Sequence, residues 1–250
     1  MKQYKSIFVS DTHLGSSYSK KEEFLSFLRS HDADNWFLVG DIIDKSAILR
    51  HGFKHWDQTD NTIIQKILKK ARKGSKIYIF DSNHFVFPSV FLGESCGNIS
   101  ILEEMIYKTT LNEYILINHG HRKDWSLKVC KGILPHLGSF GYDLIIKVEK
   151  VLNRLGKWFG RETEHKISTF FKKRIQFATS SFVEKLQEYS VEECLDKNCD
   201  VIVQGHTHKK LDKTVDSVRV MNCGAWVFDS EPSYIVENFD GTLELKHYGK

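Results

Sequence analysis

Hydrophobic and polar residues follow one another along this 250-residue chain in a pattern that predicts alternating strands and helices. Short apolar runs that end in polar residues predict buried strands, and apolar residues three and four apart predict helices. Strands that alternate with helices are typical of a largely parallel, buried sheet, so the pattern predicts an α/β fold. The predicted strands are "SIFVSD", "NWFLVGD", "KIYIFDS", "EYILINHG", "DVIVQGHTH", "TVDSVRVMNCG" and "SYIVENFDGTLELKHY".

Two helices are predicted between the early strands, over "FLSFLRSH" and "TDNTIIQKILKKARKG". In the second, Asp60 or Asn61 is the expected N-cap and Gly74 the expected stop. The residues predicted to face inward are Ile63, Ile64, Ile67, Leu68 and Ala71.

Residues 125–194 interrupt the alternation, with several helical stretches and no convincing strand. Residues 122–174 carry 13 Lys and Arg against 5 Asp and Glu, in a chain whose formal net charge is only +4. We therefore predict a core formed by residues 1–124 and 195–250, with a basic helical insertion at 125–194. The apolar and aromatic residues of the insertion either pack its helices together or form a lid that rests on a membrane. Their helical spacing beside the cations favours lipid over nucleic acid as the partner.

The composition is that of an ordinary globular protein, with 41% hydrophobic and 27% charged residues. No apolar run approaches the roughly 20 residues that span a bilayer, and the first residues do not resemble a signal peptide. We expect a cytoplasmic protein. Its five cysteines are scattered, with no C-x-x-C pair, so we expect free thiols.

Asp, Asn and His residues follow five of the predicted strands, at their carboxyl ends, where ligands collect in an open α/β sheet. One such stretch alone is more often a turn or a surface pair, but five together predict a metal site. These side chains offer oxygen and nitrogen donors and no thiolate, a set that suits Mn²⁺, Fe²⁺, Co²⁺ or Zn²⁺. The donors exceed the needs of one ion, which predicts two. The stretches are "SDTHLG" (Asp11, His13), "VGDIID" (Asp41, Asp44), "DSNHF" (Asn83, His84), "INHGH" (His119, His121) and "QGHTH" (His206, His208).

The order D-x-H, G-D-x-x-D, N-H, H-G-x and G-H-x-H resembles the signature of the calcineurin-like binuclear metallophosphoesterases. The match covers residues 5–124 and 200–230. The chain also resembles the bacterial UDP-2,3-diacylglucosamine pyrophosphatase group, in "IIQKILKKARKGSKIYI", in the helical insertion after the H-G motif and in "NCGAW" near the end. This resemblance implies a two-sheet sandwich flanked by helices, with an inserted helical cap.

The resemblance also implies a role for each motif residue. Two divalent ions are expected, with Mn²⁺ as the first choice and Fe²⁺, Co²⁺ or Zn²⁺ as alternatives. The first ion would be held by Asp11, His13 and His208, and the second by Asn83, His119 and His206, with Asp41 as the bridge. His84, together with Asn83 and Asp41, would form the catalytic group. Asp44 and Asp124 would orient ligand imidazoles. In the insertion, weaker candidates for phosphate contact are Lys166, Lys172, Lys173 and Arg174.

The implied activity is hydrolysis of the pyrophosphate bond of UDP-2,3-diacylglucosamine to UMP and 2,3-diacylglucosamine 1-phosphate, a step of lipid A assembly at the inner membrane face. Two divalent ions and two carboxylates sum to about +2, which matches a dianionic diphosphate. One alternative is an enzyme of the same fold that acts on another nucleotide or lipid phosphoester. The other is a module that binds metal or lipid and has lost catalytic power.

Two residues depart from the family pattern, which has G-N-H-D or G-N-H-E where this chain has Ser82-Asn83-His84-Phe85. The missing glycine is expected to restrict a tight turn. Without an acid at position 85, His84 is expected to lack a carboxylate that fixes its tautomer.

Overall fold

The computed structural model describes residues 2–123, 184–228 and 230–249. The chain divides into two compact units, one formed by Met1–His121 with Tyr189–Lys250 and the other by Arg122–Glu188. The predicted insertion at 125–194 is described only from residue 184, within a helix over residues 184–196. The rest of the insertion lies outside the described residues, so its predicted lid remains a prediction.

Twelve strands of the first unit form two mixed sheets, one of seven strands and one of five. The strands are β1 Lys2–Val9, β2 His31–Leu38, β3 Lys76–Phe80, β4 Ser95–Cys96, β5 Ile99–Leu102, β6 Glu104–Lys108, β7 Tyr114–Asn118, β8 Val201–Gln204, β9 Leu211–Val215, β10 Val218–Asn222, β11 Ser233–Glu237 and β12 Leu243–His247. The first sheet has the order β12-β11-β1-β2-β3-β5-β4, and the second has the order β6-β7-β8-β10-β9.

Parallel pairs form the centre of each sheet, and antiparallel strands complete the edges. In the first sheet β1, β2, β3 and β5 are parallel neighbours, and in the second β7, β8 and β10 are. The prediction of a largely parallel arrangement is therefore correct for the central strands. The edge strands β4, β6, β9 and β12 pair antiparallel, and so does β11, which lies between β12 and β1.

The two sheets face each other across an apolar layer, which confirms the predicted sandwich. Phe8, Phe37 and Ile235 of the first sheet share one buried cluster with Ile117 and Val203 of the second. Side chains buried in this way each contribute about 1.5–3 kcal/mol to folding.

Helices cover the outer faces. On the first sheet lie α1, Lys21–Ser30, and α3, Gln58–Arg72, which bury Phe27 and Ile63 against Trp36. On the second sheet the helix over residues 184–196, here α4, buries Val191 and Cys194. A short helix, α2, Lys45–His51, and a 3₁₀ turn, Gly52–His55, were not predicted. The strands β4, β5 and β6 were also missed, since they are short or half-exposed.

The N-terminus of α3 corrects the predicted cap. Asp57 is the N-cap: its side chain accepts a hydrogen bond from the backbone of Thr59, and Asp60 accepts one in return from the backbone of Asp57. Asp60 is therefore the third residue of a capping box. Leu68, predicted to face inward, is half exposed, because it lies beyond the stripe that contains Ile63 and Ile67.

No helix in the described ranges combines the length and the apolar character needed to cross a membrane. The cysteines described there are free thiols, as predicted: Cys96, Cys194, Cys199 and Cys223.

Candidate metal centre

Five strands end at one edge of the sandwich, and each is followed by predicted site residues. In the first sheet the parallel strands β1, β2 and β3 end at Val9, Leu38 and Phe80. In the second, β7 and β8 end at Asn118 and Gln204. Because parallel strands end on the same side, the five stretches converge on one region, as the sequence predicts.

A first group of ligand atoms lies where the β1 and β8 segments meet. Nε2 of His208 is 3.2 Å from Oδ1 of Asp11 and 3.2 Å from Nε2 of His13. Nε2 of His13 is 3.8 Å from the same Asp11 oxygen. These three residues are the set expected for the first ion, and their donor atoms form a compact triangle.

A second group lies where the β2, β3 and β7 segments meet. Nε2 of His119 is 3.2 Å from Oδ2 of Asp41 and 3.2 Å from Oδ1 of Asn83. The ring of His206 lies 5.3 Å from that of His119, between ring centres. The same Asp41 oxygen is 3.9 Å from Nε2 of His13 in the first group. Asp41 therefore lies between the two groups, where a bridging carboxylate is expected.

The spacing of these atoms fits metal ligation. Ligand atoms that each lie about 2.1 Å from one ion are about 3.0–3.4 Å from one another in octahedral or tetrahedral geometry. Four of the separations above are 3.2 Å. The donors are imidazole nitrogens and carboxylate or amide oxygens, which suit Mn²⁺, Fe²⁺, Co²⁺ or Zn²⁺.

The histidines also present the correct nitrogen. Nδ1 of His13 pairs with Oδ2 of Asp44 at 3.2 Å, and Nδ1 of His119 pairs with the carbonyl oxygen of Val39 at 2.9 Å. An imidazole that donates from Nδ1 keeps the Nε2 lone pair for a metal ion. Asp44 thus contacts the Nδ1 side of His13, and its orienting role stays a prediction.

One buried oxygen of the site lacks a conventional partner. Within the described part of the chain, no donor forms a hydrogen bond to Oδ1 of Asp11, although the residue is fully buried. A buried carboxylate oxygen left unpaired is costly, and a cation beside it removes that cost. Since this oxygen faces the Nε2 atoms of His13 and His208, it also marks the first group as a cation site.

The electrostatics of the site favour positive charge. Burial opposes ionisation of Asp11, but the facing imidazoles of His13 and His208 outweigh it and hold its pKa well below the ordinary value. Burial of Asp41 is outweighed in the same way by His119, so its pKa is also lowered. Burial disfavours the imidazolium of His13, yet the carboxylates of Asp11 and Asp44 raise its pKa to about 10. The field therefore stabilises a cation, whether proton or metal.

The backbone reaches this geometry through strain. In an extended segment, residues two apart point in the same direction. Five predicted ligands instead have left-handed backbone, with φ between 47° and 67°. Outside this site, the other four non-glycine residues with positive φ in the described ranges are Asn, Asp or Ser. Such conformations cost about 1–3 kcal/mol each and concentrate at functional sites. The five are Asp11, His13, Asp41, His206 and His208.

The backbone lies very close to Asp11 and Ser10 at Gly205. A Cβ atom there would lie 2.5 Å from Oδ2 of Asp11 and 2.6 Å from Oγ of Ser10. The missing side chain lets the backbone N–H of His206 donate to that Asp11 oxygen at 3.0 Å.

The two departures from the family pattern have a different outcome from the one expected. His84 does have a carboxylate partner: its Nδ1 lies 3.1 Å from Oδ1 of Asp44, which comes from the segment after β2. Its backbone N–H also donates to Asp41 at 3.1 Å. Ser82 has no positive φ, so a glycine is not required at that position. The expectation that His84 lacks an orienting acid is therefore wrong.

Some predicted residues lie outside the described residues: Asp124, Lys166, Lys172, Lys173 and Arg174. Tyr18 also belongs to the site, although it was not predicted, because its hydroxyl donates to Asp44. Tyr18 belongs to none of the motifs and to no periodic pattern, so only its contact identifies it.

Comparisons with known proteins give matches in structure alone. No protein-family model matches the chain, and no curated protein matches it in sequence. A single mutant of Vps29 from Entamoeba histolytica is 13% identical, with a TM-score of 0.46 and 97% of each chain covered. Yfce, a phosphoesterase from E. coli, is 14% identical, with a TM-score of 0.44 over 98% of this chain and 99% of that one. A novel archaeal phosphodiesterase is 13% identical, with a TM-score of 0.42 over 97% and 98%. These identities and TM-scores are too low to assign a role to the chain, so only the side chains of the site indicate its chemistry.

Proposed function

We propose that this protein is a metal-dependent phosphoester hydrolase with two ions, and that its substrate is UDP-2,3-diacylglucosamine, cleaved to UMP and 2,3-diacylglucosamine 1-phosphate. The observation that carries the hydrolase proposal is the pair of ligand groups with Asp41 between them. When bound, divalent ions lower the pKa of water and neutralise charge on phosphoryl oxygens. The manganese preference, the lipid A step and the location at the inner membrane face belong to the same proposal.

His84 is the residue that acts on the substrate in this proposal. Its ring is partly exposed, lies 4.8 Å from the ring of His13 between centres, and is held through Nδ1 by Asp44. This leaves Nε2 to contact a phosphoryl oxygen and to hold or give a proton as the leaving group departs. Asp44 therefore orients one imidazole toward the metal and the other toward the substrate.

The surface beside the site supports a lipid-linked substrate. Leu49 and Phe53 are 75% and 70% exposed, and they belong to the segment that begins directly after Asp44. Residues 45–56 include Lys45, Arg50 and Lys54 and contain no Asp or Glu. Exposed apolar residues beside cations are the composition that binds anionic lipid surfaces.

The loop after His84 has a similar character. Residues 85–93 are "FVFPSVFLG", without a charged residue, and Val86, Val90 and Phe91 are exposed. Both segments thus begin next to residues of the site, and their exposed apolar side chains support the proposal that the substrate carries acyl chains. In this proposal the basic insertion at 125–194 contacts the membrane as well.

The test is release of UMP from UDP-2,3-diacylglucosamine in anionic vesicles, with Mn²⁺, against a chelated control. We expect chelator-sensitive release that falls about tenfold in the double variant Leu49→Ser, Phe53→Ser, because each lost contact weakens lipid binding. Hydrolysis of a soluble nitrophenyl phosphodiester should not change in this variant.

The matched control is Leu68→Ser, Phe239→Ser, which removes a leucine and a phenylalanine that are also exposed. Phe239 follows β11, which is antiparallel to β1, so it lies at the opposite edge of the sheet from the site. If the soluble diester is hydrolysed but no UMP is released, the hydrolase proposal stands and the glycolipid is excluded as the substrate. Equal loss of UMP release in both double variants would contradict a role of residues 45–56 in lipid binding.

The alternative of a catalytically weakened module makes an opposite prediction for Phe85. If the acid missing from position 85 had disabled the site, Phe85→Asp would raise hydrolysis greatly from near zero. We expect instead a change within about threefold, because Asp44 already holds Nδ1 of His84. The measurement is kcat on the soluble diester, and a rise of 100-fold or more, on the order of 3 kcal/mol, would favour the weakened module.

A further inference from the structure

Tyr18 is fixed beside the site by contacts on both sides of it. It lies in the loop between β1 and α1, and its ring centre is 5.6 Å from that of His13. Its carbonyl oxygen accepts a hydrogen bond from the N–H of Phe228 at 2.8 Å. The next residue, Ser19, donates from Oγ to the carbonyl of Thr12 at 2.6 Å. The position of the tyrosine is therefore set by the backbone around it.

The hydroxyl of Tyr18 is one of four hydrogen-bonding contacts of the Asp44 carboxylate. Oδ2 of Asp44 accepts from Tyr18 and pairs with Nδ1 of His13, while Oδ1 accepts from the N–H of Ala47 at 2.7 Å and pairs with Nδ1 of His84. A carboxylate has about four lone-pair positions, so these four contacts fill it. Asp44 is fully buried, and no position remains for water.

The four contacts divide into two kinds. Those with His13 and His84 transmit the orientation of Asp44 to imidazoles of the site. Those with Tyr18 and the N–H of Ala47 act on Asp44 alone, one on each oxygen. Contacts on both oxygens fix the plane of a carboxylate, and the hydroxyl of Tyr18 is the contact on Oδ2 that does not come from an imidazole of the site.

We propose that Tyr18 is a positioning residue: it fixes the plane of the Asp44 carboxylate and, through it, His13 for metal binding and His84 for substrate. This inference rests on the proposed hydrolase function for its kinetic part, but its metal-binding part does not. Loss of the hydroxyl leaves the ring volume in place and frees one acceptor position on Asp44. Substitutions of groups that orient metal ligands typically lower metal affinity or activity about 10- to 100-fold, and Tyr18 is one contact further away.

The test compares Tyr18→Phe with wild type by calorimetric titration of the metal-free protein with Mn²⁺ and by hydrolysis of the soluble diester. We expect affinity for Mn²⁺ about threefold to tenfold weaker and kcat about fivefold to 20-fold lower, with KM within twofold. The matched control is Tyr78→Phe, at a tyrosine that stacks on Phe37 between the sheets, and both quantities should stay at wild-type values.

A double-mutant cycle decides whether Tyr18 acts through Asp44. In an Asp44→Asn background, Tyr18→Phe should have no further effect on Mn²⁺ affinity or kcat. Wild-type affinity and kcat in Tyr18→Phe would overturn the proposal, and so would the same loss with Asp44→Asn present. If wild type binds Mn²⁺ but hydrolyses no phosphoester, the proposed function fails, and the affinities still decide the role of Tyr18.

Discussion

Replacing Asp41 by asparagine is expected to lower metal-dependent phosphoester hydrolysis at least about 10³-fold, a loss of about 4 kcal/mol of transition-state stabilisation. Asp41 is nearly fully buried, and its Oδ2 lies 3.2 Å from Nε2 of His119 and 3.9 Å from Nε2 of His13, one from each ligand group. An asparagine keeps the size of the side chain but removes its negative charge. It also replaces one ligand oxygen by an NH₂ group, which cannot bind a cation.

The measurement is kcat/KM on the soluble diester with saturating Mn²⁺, together with the free energy of unfolding. The matched control is Asp34→Asn, at an exposed aspartate that forms an ion pair with Lys5. Exposed pairs contribute about 0–1 kcal/mol, so this control should retain wild-type activity and stability. An Asp41→Asn protein that is folded and within tenfold of wild type would show that Asp41 does not bridge two ions.

Replacing Gly40 by alanine is expected to destabilise the protein by about 2–4 kcal/mol and to weaken binding of the second ion. Gly40 has φ of +80°, and a Cβ atom there would lie 2.4 Å from Cγ and from Nδ1 of His119. His119 is buried and bonded to the carbonyl of Val39, so it cannot move without losing that contact. The added methyl group must therefore displace the imidazole from Asp41 and Asn83.

Gly93→Ala separates the collision from the backbone cost. Gly93 has φ of +88°, close to that of Gly40, but a Cβ atom there has no neighbour within 4 Å. The free energy of unfolding of Gly93→Ala should fall by about 1–2 kcal/mol, which is the cost of left-handed backbone alone, and the variant should bind metal normally. Urea unfolding and Mn²⁺ titration measure both effects, and equal losses in the two variants would mean that the close contact with His119 is unimportant.

The strands and the long helices are predictable from the sequence because their apolar periodicity is strong. Ile63, Ile67 and Ala71 are buried at helical spacing in α3. Seven apolar runs predict the α/β class, whereas the division of the strands between two sheets was implied only by the family resemblance. The predictions that fail concern local structure. Asp57 competes with Asp60 as a cap, since both belong to one capping box, and a single sequence does not separate the two roles. The short helix α2 has only Ala47 buried, so it has no periodic signal.

The site also has features that the sequence predicts and features that it does not. Five motif stretches converge because parallel strands end on the same side, and the pattern predicts that the central strands are parallel. Their backbone conformation does not follow, because left-handed aspartates and histidines contradict local preference and persist only through tertiary contacts. The partnership of Asp44 with His84 and Tyr18 also joins segments far apart in sequence, and no spacing rule predicts it.

Titration of the metal-free protein with Mn²⁺, with hydrolysis of the soluble diester followed in the same samples, is the decisive test of a two-ion centre. We expect two ions to bind per chain and hydrolysis to rise with occupancy of the second, returning to background when a chelator is added. Binding of a single ion with full activity, or hydrolysis that the chelator leaves unchanged, would contradict a two-ion centre in which Asp41 lies between the two ligand groups.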